Sequence, residues 1–483
     1  MNKRSFWLSA AGALLAAVAL AGCGTTTYFA GRQLPPSGLQ YRVLIAVQNP
    51  SSFTKGALVF VDAYYDIRFS YNQKVAGYSI SGYSGALPST IQNMPAEQLG
   101  YVYSYGDGSY TPINYQTEAV NGSSVSGLNG LSSSIFVTRD RKYVFAASQA
   151  SHVLTVIDNT TGGGIFSLSL PGIYRVSVNP GGSAALAFVQ NSDYVYYPRK
   201  LSASETTAYS GGTSTWPKAA VDCEPQNAPQ WCLFQAQSPD SVDSTGNYYG
   251  APLTFDRPVK AIFSADGSNA YVLSCGPECG GTASSYSVLP VAPMIYLVGQ
   301  ASGTLPKTGA MTTVPIPGGA SNALVANTTM YVAGQQPQAD GLYSGNLTVV
   351  NLTNNTASSP ISISDGLPGG PSRMILGDDN TLWIGTTKCN NGERYAKGLS
   401  YGCLTMFDTS TNTVKMLEPY LGDLTGIAAV EGLHKVYVAQ GGQVYIYSTV
   451  DGTAYNNQYV TVSGTASDVA FMDAKTDGNN TVY

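Results

Sequence analysis

Six of the seven cysteines fall in three sequence-local pairs, Cys223 with Cys232, Cys275 with Cys279, and Cys389 with Cys403. In an exported chain an even set of this kind reads as disulfides, and the local pairing is the simplest of those available. Cys275-Gly-Pro-Glu-Cys279 also suggests a metal, but zinc wants four ligands and no histidine lies near. The chain has only two histidines, His152 and His434, at different expected strand positions, and no Gly-x-Ser-x-Gly elbow to support a serine triad. No cofactor is expected, although Asp/Gly-rich turns at Asp107-Gly108, Asp266-Gly267, Asp378-Asp379-Asn380 and Asp473 to Asn480 leave structural calcium as an alternative. None of them matches a calcium loop, and Asp and Gly favour such turns for backbone reasons. Tyrosine clusters are the richer signal: Tyr64-Tyr65, Tyr101/Tyr103/Tyr105, Tyr194/Tyr196/Tyr197 and Tyr248-Tyr249. Stiff amphipathic rings suit recognition, although alternating tyrosines also line the packed face of a sheet. The stretch 202–257 combines Trp216, Trp231, Cys223, Cys232, Tyr248 and Tyr249, and those four aromatics are the expected ligand-recognition residues.

The elements that must position these groups repeat along the chain. A short apolar strand, a polar turn and a second strand, often with Tyr-Val, recur seven times, at 133–148, 173–189, 259–274, 320–335, 371–386, 424–440 and 466–483. Most copies are followed by a third strand (152–158, 346–352, 403–409, 443–448) and a fourth (165–170, 359–364, 413–418, 458–463), with Asn/Asp-rich turns between. Four antiparallel strands repeating at this spacing make a propeller blade. The expectation is an all-β, seven-bladed propeller over 41–483 with an insertion at 202–257. The last copy stops in mid-unit, and strands at 42–47, 57–63 and 76–82 would complete it, so that interlocked termini close the ring. Residues 100–114 also look like two blade strands, either an embellishment or part of an eighth blade.

Lys142-Tyr143-Val144, Asn269-Ala270-Tyr271-Val272 and Lys435-Val436-Tyr437-Val438, with Val153-Leu-Thr-Val-Ile-Asp158, resemble the YVTN-type propeller repeats, a family close to the seven-bladed lactonases. The resemblance covers about 133–483. It implies the architecture and, for the lactonases, acids, arginine or a metal at a central channel. No set of such residues transfers position by position. Leu382-Trp383-Ile384-Gly385 and Ala185-Leu186-Ala187-Phe188 depart from the repeat, so those blades rest on spacing alone.

The first residues have a different grammar. Lys3 and Arg4 precede a short apolar stretch from Phe6 to Ala21, the layout of a secretory leader. Leu20-Ala21-Gly22-Cys23 resembles the lipobox of bacterial lipoproteins, which implies cleavage of a 1–22 signal, lipid on Cys23, and a 23–40 tether to a membrane. Gly24 in place of an aspartate implies, by the same resemblance, the outer membrane of the cell envelope.

Composition narrows the function. Charged residues make up 11% of the chain against roughly a quarter in typical soluble domains, with 53 Gly and 34 Tyr. The net charge of −5 offers no basic field for nucleic acid. The favoured function is a membrane-tethered propeller that binds an envelope protein, glycan or small ligand through a rim or its channel. A lactonase-like hydrolase and an assembly role within an envelope machine are the alternatives. Convergence of several of Asp140, Arg175, Lys260, Arg373 and Asp468 at one channel mouth would favour the enzyme; a channel of Ser, Asn and Tyr would not.

Overall fold

A computed structural model describes residues 27–28, 32–67, 77–126, 128, 132–160, 163–179, 181–242, 248–291, 311–339, 343–365, 371–389, 401–417 and 422–476. The expected 1–22 leader and Cys23, the expected lipid site, lie outside these.

The sheets form a β-propeller of eight blades, not seven. The innermost strands, in order around the hub, are Thr465–Phe471, Pro88–Met94, Ser134–Val137, Ile173–Val178, Pro258–Phe263, Asn322–Ala326, Pro371–Gly377 and Leu424–Val430. We number the blades 1 to 8 in that order. Eight apolar clusters, one at each blade interface, complete the circle: the 8/1 cluster joins Val43 to Tyr437, and the 1/2 cluster joins Phe60 to Val102. Strand burial follows from this sandwiching. Tyr143–Ser148, between two neighbouring blades, is buried along its whole length. The outer strand Ile165–Ser169 alternates exposed and buried, as a half-wetted strand should.

The additional blade is blade 2, made of Pro88–Met94, Leu99–Ser104, Ser109–Asn114 and Ala119–Val120. Its innermost strand evades an apolar repeat pattern because Gln92 and Asn93 replace hydrophobic residues. Both are buried and fully used. Gln92 binds blade 3 twice, donating to Val137 O and accepting from Val137 N (each 2.8 Å), while Asn93 donates to Phe471 O of blade 1 (2.8 Å).

Closure follows the expected interlock. Thr465–Phe471 pairs antiparallel with Arg42–Gln48, which pairs with Gly56–Asp62, and an isolated bridge from Val59 to Ser79 adds the outer edge. Arg42, 3% exposed, locks the joint through Asp473 (2.6 Å) and Glu118 (2.9 Å). Part of the expected tether is docked: Arg32 donates to Pro95 O and Ala474 O.

All three local disulfides are present. Cys223–Cys232 joins opposed residues of Ala220–Glu224 and Trp231–Gln235. The insertion thus supplies blade 4 with its fourth strand, Trp231–Gln235, and an additional outermost fifth, Ala220–Glu224. Among the described residues no helix is long and apolar enough to cross a membrane.

Candidate functional site

Register defines a ring around the channel. In six innermost strands the pairing with the second strand slips by one residue near the strand start. The residue after the slip is Asp468 in blade 1, Thr90 in blade 2, Arg175 in blade 4, Lys260 in blade 5, Arg373 in blade 7 and Gly426 in blade 8. Ser134 in blade 3 and Asn322 in blade 6, paired with Ala147 and Ala333, occupy the matching places. A bulge re-aims the side chain that follows it, which is how repeats of otherwise apolar strands present polar groups to one axis.

A cavity of about 910 Å³ opens at this level, and Thr90, Ser134, Arg175, Lys260, Asn322 and Arg373 all line it. Three cations therefore converge in one chamber. Lys260 donates to Asn322 Oδ1 (2.8 Å). Deep burial, then the charges of Arg175 and Arg373, push its ammonium down to about 7, while part of its surface still meets cavity water. Among the described residues Arg373 alone of the three meets a carboxylate: its Nη2 lies 3.5 Å from Asp468 Oδ2, across blade 8. Gly426 permits this, since a Cβ there would lie 2.4 Å from Asp468 Oδ1. Burial raises the Asp468 carboxyl, against the pull of Arg373 and of the Ile91 and Val469 N–H groups.

A further acid comes from a loop. Glu278 sits inside the Cys275–Cys279 disulfide and lines the same cavity. Gly276 turns the loop with φ 55°, where a Cβ would meet Ala283 C at 2.4 Å. Burial pushes the Glu278 carboxyl up to about 7, although Gln335 N donates to it (3.1 Å). Sequence reasoning weighed this Cys-x-x-x-Cys only as a staple or metal loop; the acid between two cysteines was the signal that could have found it. The rest of the wall is rich in hydroxyls. Tyr103 accepts from Ser132 N (2.8 Å), Tyr174 donates to Val259 O (3.2 Å), and Ser132 Oγ is buried with no partner among the described residues.

Of the five charged residues proposed for the channel, Arg175, Lys260 and Arg373 face the cavity and Asp468 stands behind Arg373. Asp140 does not join them. It closes its own turn, accepting from Thr138 and Lys142. Both outcomes posed for the channel thus occur together, a charged cluster set in a wall of Ser, Asn and Tyr.

The expected recognition aromatics lie elsewhere. Trp231 is 0% exposed and needs a correction: it packs against Tyr143 and Phe145 in the 3/4 interface, its Nε1 3.3 Å from Asp158 Oδ2, so no ligand reaches it in the folded protein. Trp216, half-buried, donates to Gln226 O (3.0 Å). Tyr249 lies under the Lys218 ammonium at 4.2 Å. The backbone of Tyr248 pairs with Val242; its side chain lies outside the described residues. The histidines are apart, His152 accepting from Gly172 N and His434 bound to Asp379. Asp266 and Asp107, two calcium candidates, accept hydrogen bonds within their own turns.

No protein-family model and no curated protein matches the sequence. Solved structures do resemble the fold. A dihydro-heme d1 dehydrogenase, NirN, is similar over 94% of this chain and 79% of its own, at 11% identity and a TM-score of 0.52. A candidate 6-phosphogluconolactonase from Bacteroides uniformis is similar over 89% and 99%, at 11% identity and a TM-score of 0.47. The Cps50 (Swd1) propeller domain of Myceliophteria thermophila matches over 76% and 98%, at 10% identity and a TM-score of 0.45. At such identities the likeness extends to the fold alone.

Proposed function

We propose that the chain is a binding module of the cell envelope, tethered to the outer membrane through lipid on Cys23, whose ligand is a small molecule or glycan end that enters the central cavity. One observation carries this reading: a chamber of about 910 Å³ into which six of the eight ring positions face. That volume lies within the range of about 300–1,000 Å³ of small-ligand sites, and rigid inner strands set its walls. Nothing comparable supports the 202–257 aromatics: Trp231 is buried in a blade interface, and Trp216 and Tyr249 meet Gln226 and Lys218 of their own segment.

A second reading, hydrolysis of a small ester or lactone, draws support from Glu278 and Lys260. Both titrate near neutrality in the wall of one cavity, one raised and one lowered by burial. Such a pair suits acid and base roles. Lys260 in its neutral form would take a proton from the attacking water, and protonated Glu278 would give one to the leaving oxygen.

Native mass spectrometry of the full-length protein, purified from its own envelope, tests the first reading. The expected result is a retained small molecule that Ser134→Trp, which narrows the cavity, expels. No retained mass, with a macromolecule captured instead through 202–257, would refute it. Cys23→Ser should move the protein from the membrane to the soluble fraction.

A further inference from the structure

The charge in the cavity is unbalanced. Arg175, Lys260 and Arg373 bring three cations to the ring, and Asp468, the one ring carboxylate, is turned towards Arg373. Among the described residues Arg175 meets no carboxylate, only the Tyr174 ring (5.7 Å) and Val259 O (3.4 Å), and Lys260 meets the neutral Asn322. Arg257, also in the wall, is held by Asp193 (3.5 Å) and Asn191 O. Elsewhere this chain pairs its buried cations. Arg42 meets two carboxylates, Arg199 meets Glu205 (2.9 Å) and Lys435 meets Asp66 (2.7 Å). Bringing two further like charges beside Lys260, only one of them set against a carboxylate among the described residues, is costly, and a fold that needed only a filled hub would place apolar side chains there. The protein as a whole is acidic, at −5, so this cluster runs against the sign of the chain.

Resting on the reading that the cavity is the binding site, we propose that its ligand is a small polyanion, a phosphate ester or polycarboxylate, seated between Arg175 and Lys260 with Arg373 on the opposite arc and the wall serines donating to its remaining oxygens. A guanidinium fork suits either oxyanion, and the half-enclosed setting strengthens each contact.

Proton uptake accompanies the binding. The groups facing Lys260 are Arg175 on blade 4, Asn322 on blade 6, Arg373 with Asp468 behind it, and Glu278 and Arg257 of blade 5's own loops. Burial first, and then its cationic neighbours, hold Lys260 near 7, and an anion seated among them offsets the second cause and so favours its ammonium. The anion likewise favours the protonated form of Glu278. Affinity is therefore highest at acid pH and falls as pH rises above 7, by up to about tenfold per unit for each proton taken up.

The test is calorimetry on the full-length protein in detergent at about 0.15 M salt, with pyrophosphate and citrate as separate probes and maltotriose as the neutral control. The expected result is saturable binding of at least one anion, weakened tenfold or more by Arg175→Gln and by Arg373→Gln, and weaker at pH 9 than at pH 6. Lys260→Arg, charged at every pH used, should keep the binding, and with Glu278→Gln should flatten its pH profile. Which probe binds more tightly distinguishes phosphate from carboxylate. Binding of neither anion, or binding indifferent to both arginine substitutions, overturns the proposal. If maltotriose binds and Ser134→Trp abolishes it while both anions stay inert, the polyanion fails and the cavity reading stands.

Discussion

The stapled insertion of blade 4 and the central cavity use similar residues to opposite ends. Around the insertion, reactive-looking groups are spent on one another. Trp231 fills a blade interface, Cys223 bonds Cys232, Arg199 bonds Glu205, and Trp216 caps a carbonyl. In the cavity Arg175 and Lys260 meet no carboxylate among the described residues. Aromatic and cysteine density marks where the chain needs reinforcement. Incomplete pairing marks where something else can bind. Solvent-facing loops commonly carry function, but here the rigid hub offers the better-formed site.

Four variants would break or sharpen that contrast. Trp231→Ala should have the largest effect, a loss of about 3–5 kcal/mol in chemical denaturation, because a large cavity opens between blades 3 and 4. Ligand affinity, measured where the variant is still folded, should not change. Cys223→Ser with Cys232→Ser should cost about 2–3 kcal/mol in the same assay, since a short loop is released in the unfolded chain. Retained ligand mass should be unaffected. If either variant lost binding while folded, the insertion would be part of the site and the contrast would collapse.

Gly426→Ala acts on the ring. Its methyl would collide with Asp468 and Val469, so a destabilisation of about 1–3 kcal/mol is expected, together with weaker anion binding as Arg373 loses its anchor. Lys260→Met should have the smallest effect on stability and the opposite sign. The Lys260 ammonium titrates near 7 in the folded protein and at its ordinary 10.5 once unfolded, so the unfolded chain binds more protons between those values. Wild-type stability gains from this group as pH rises from 7 to 10.5, and its charge is a full burden below 7. Lys260→Met should therefore be more stable below pH 7, by about 1 kcal/mol after screening by cavity water, and the difference should vanish near pH 10.5. Thermal unfolding across pH 6–10 checks the trend, and an equal stability at pH 6 would contradict it.

Much of the architecture was legible. The Tyr-Val repeats, the Asn/Asp turns and the half-unit at the carboxyl end announced blades and a shared closing sheet, because strand alternation and turn chemistry are local properties. Blade 2 was legible only in its two middle strands, at 100–114, for Gln92 and Asn93 of its innermost strand look like loop residues until Val137 and Phe471 are placed beside them. Trp231 read as a recognition residue because a tryptophan in an insertion has no partner until the strand it belongs to is known.

The residues of the site were nameable from their strand positions. Arg175, Lys260, Arg373 and Asp468 could be set near the axis by counting along the repeats, but no spacing says which of them keep a counterion. That depends on Gly426, which lets Arg373 and Asp468 meet across a blade, and on Glu278, brought to the wall by a disulfide loop. The sequence by itself determined the all-β class and the repeat, since both follow from contacts within a few tens of residues, and it offered the local cysteine pairing only as the simplest one. Only the tertiary structure decided the number of blades, the burial of Trp231 and which cations at the hub meet a carboxylate. Those depend on which distant strands share an interface, and the closing of the ring settles that.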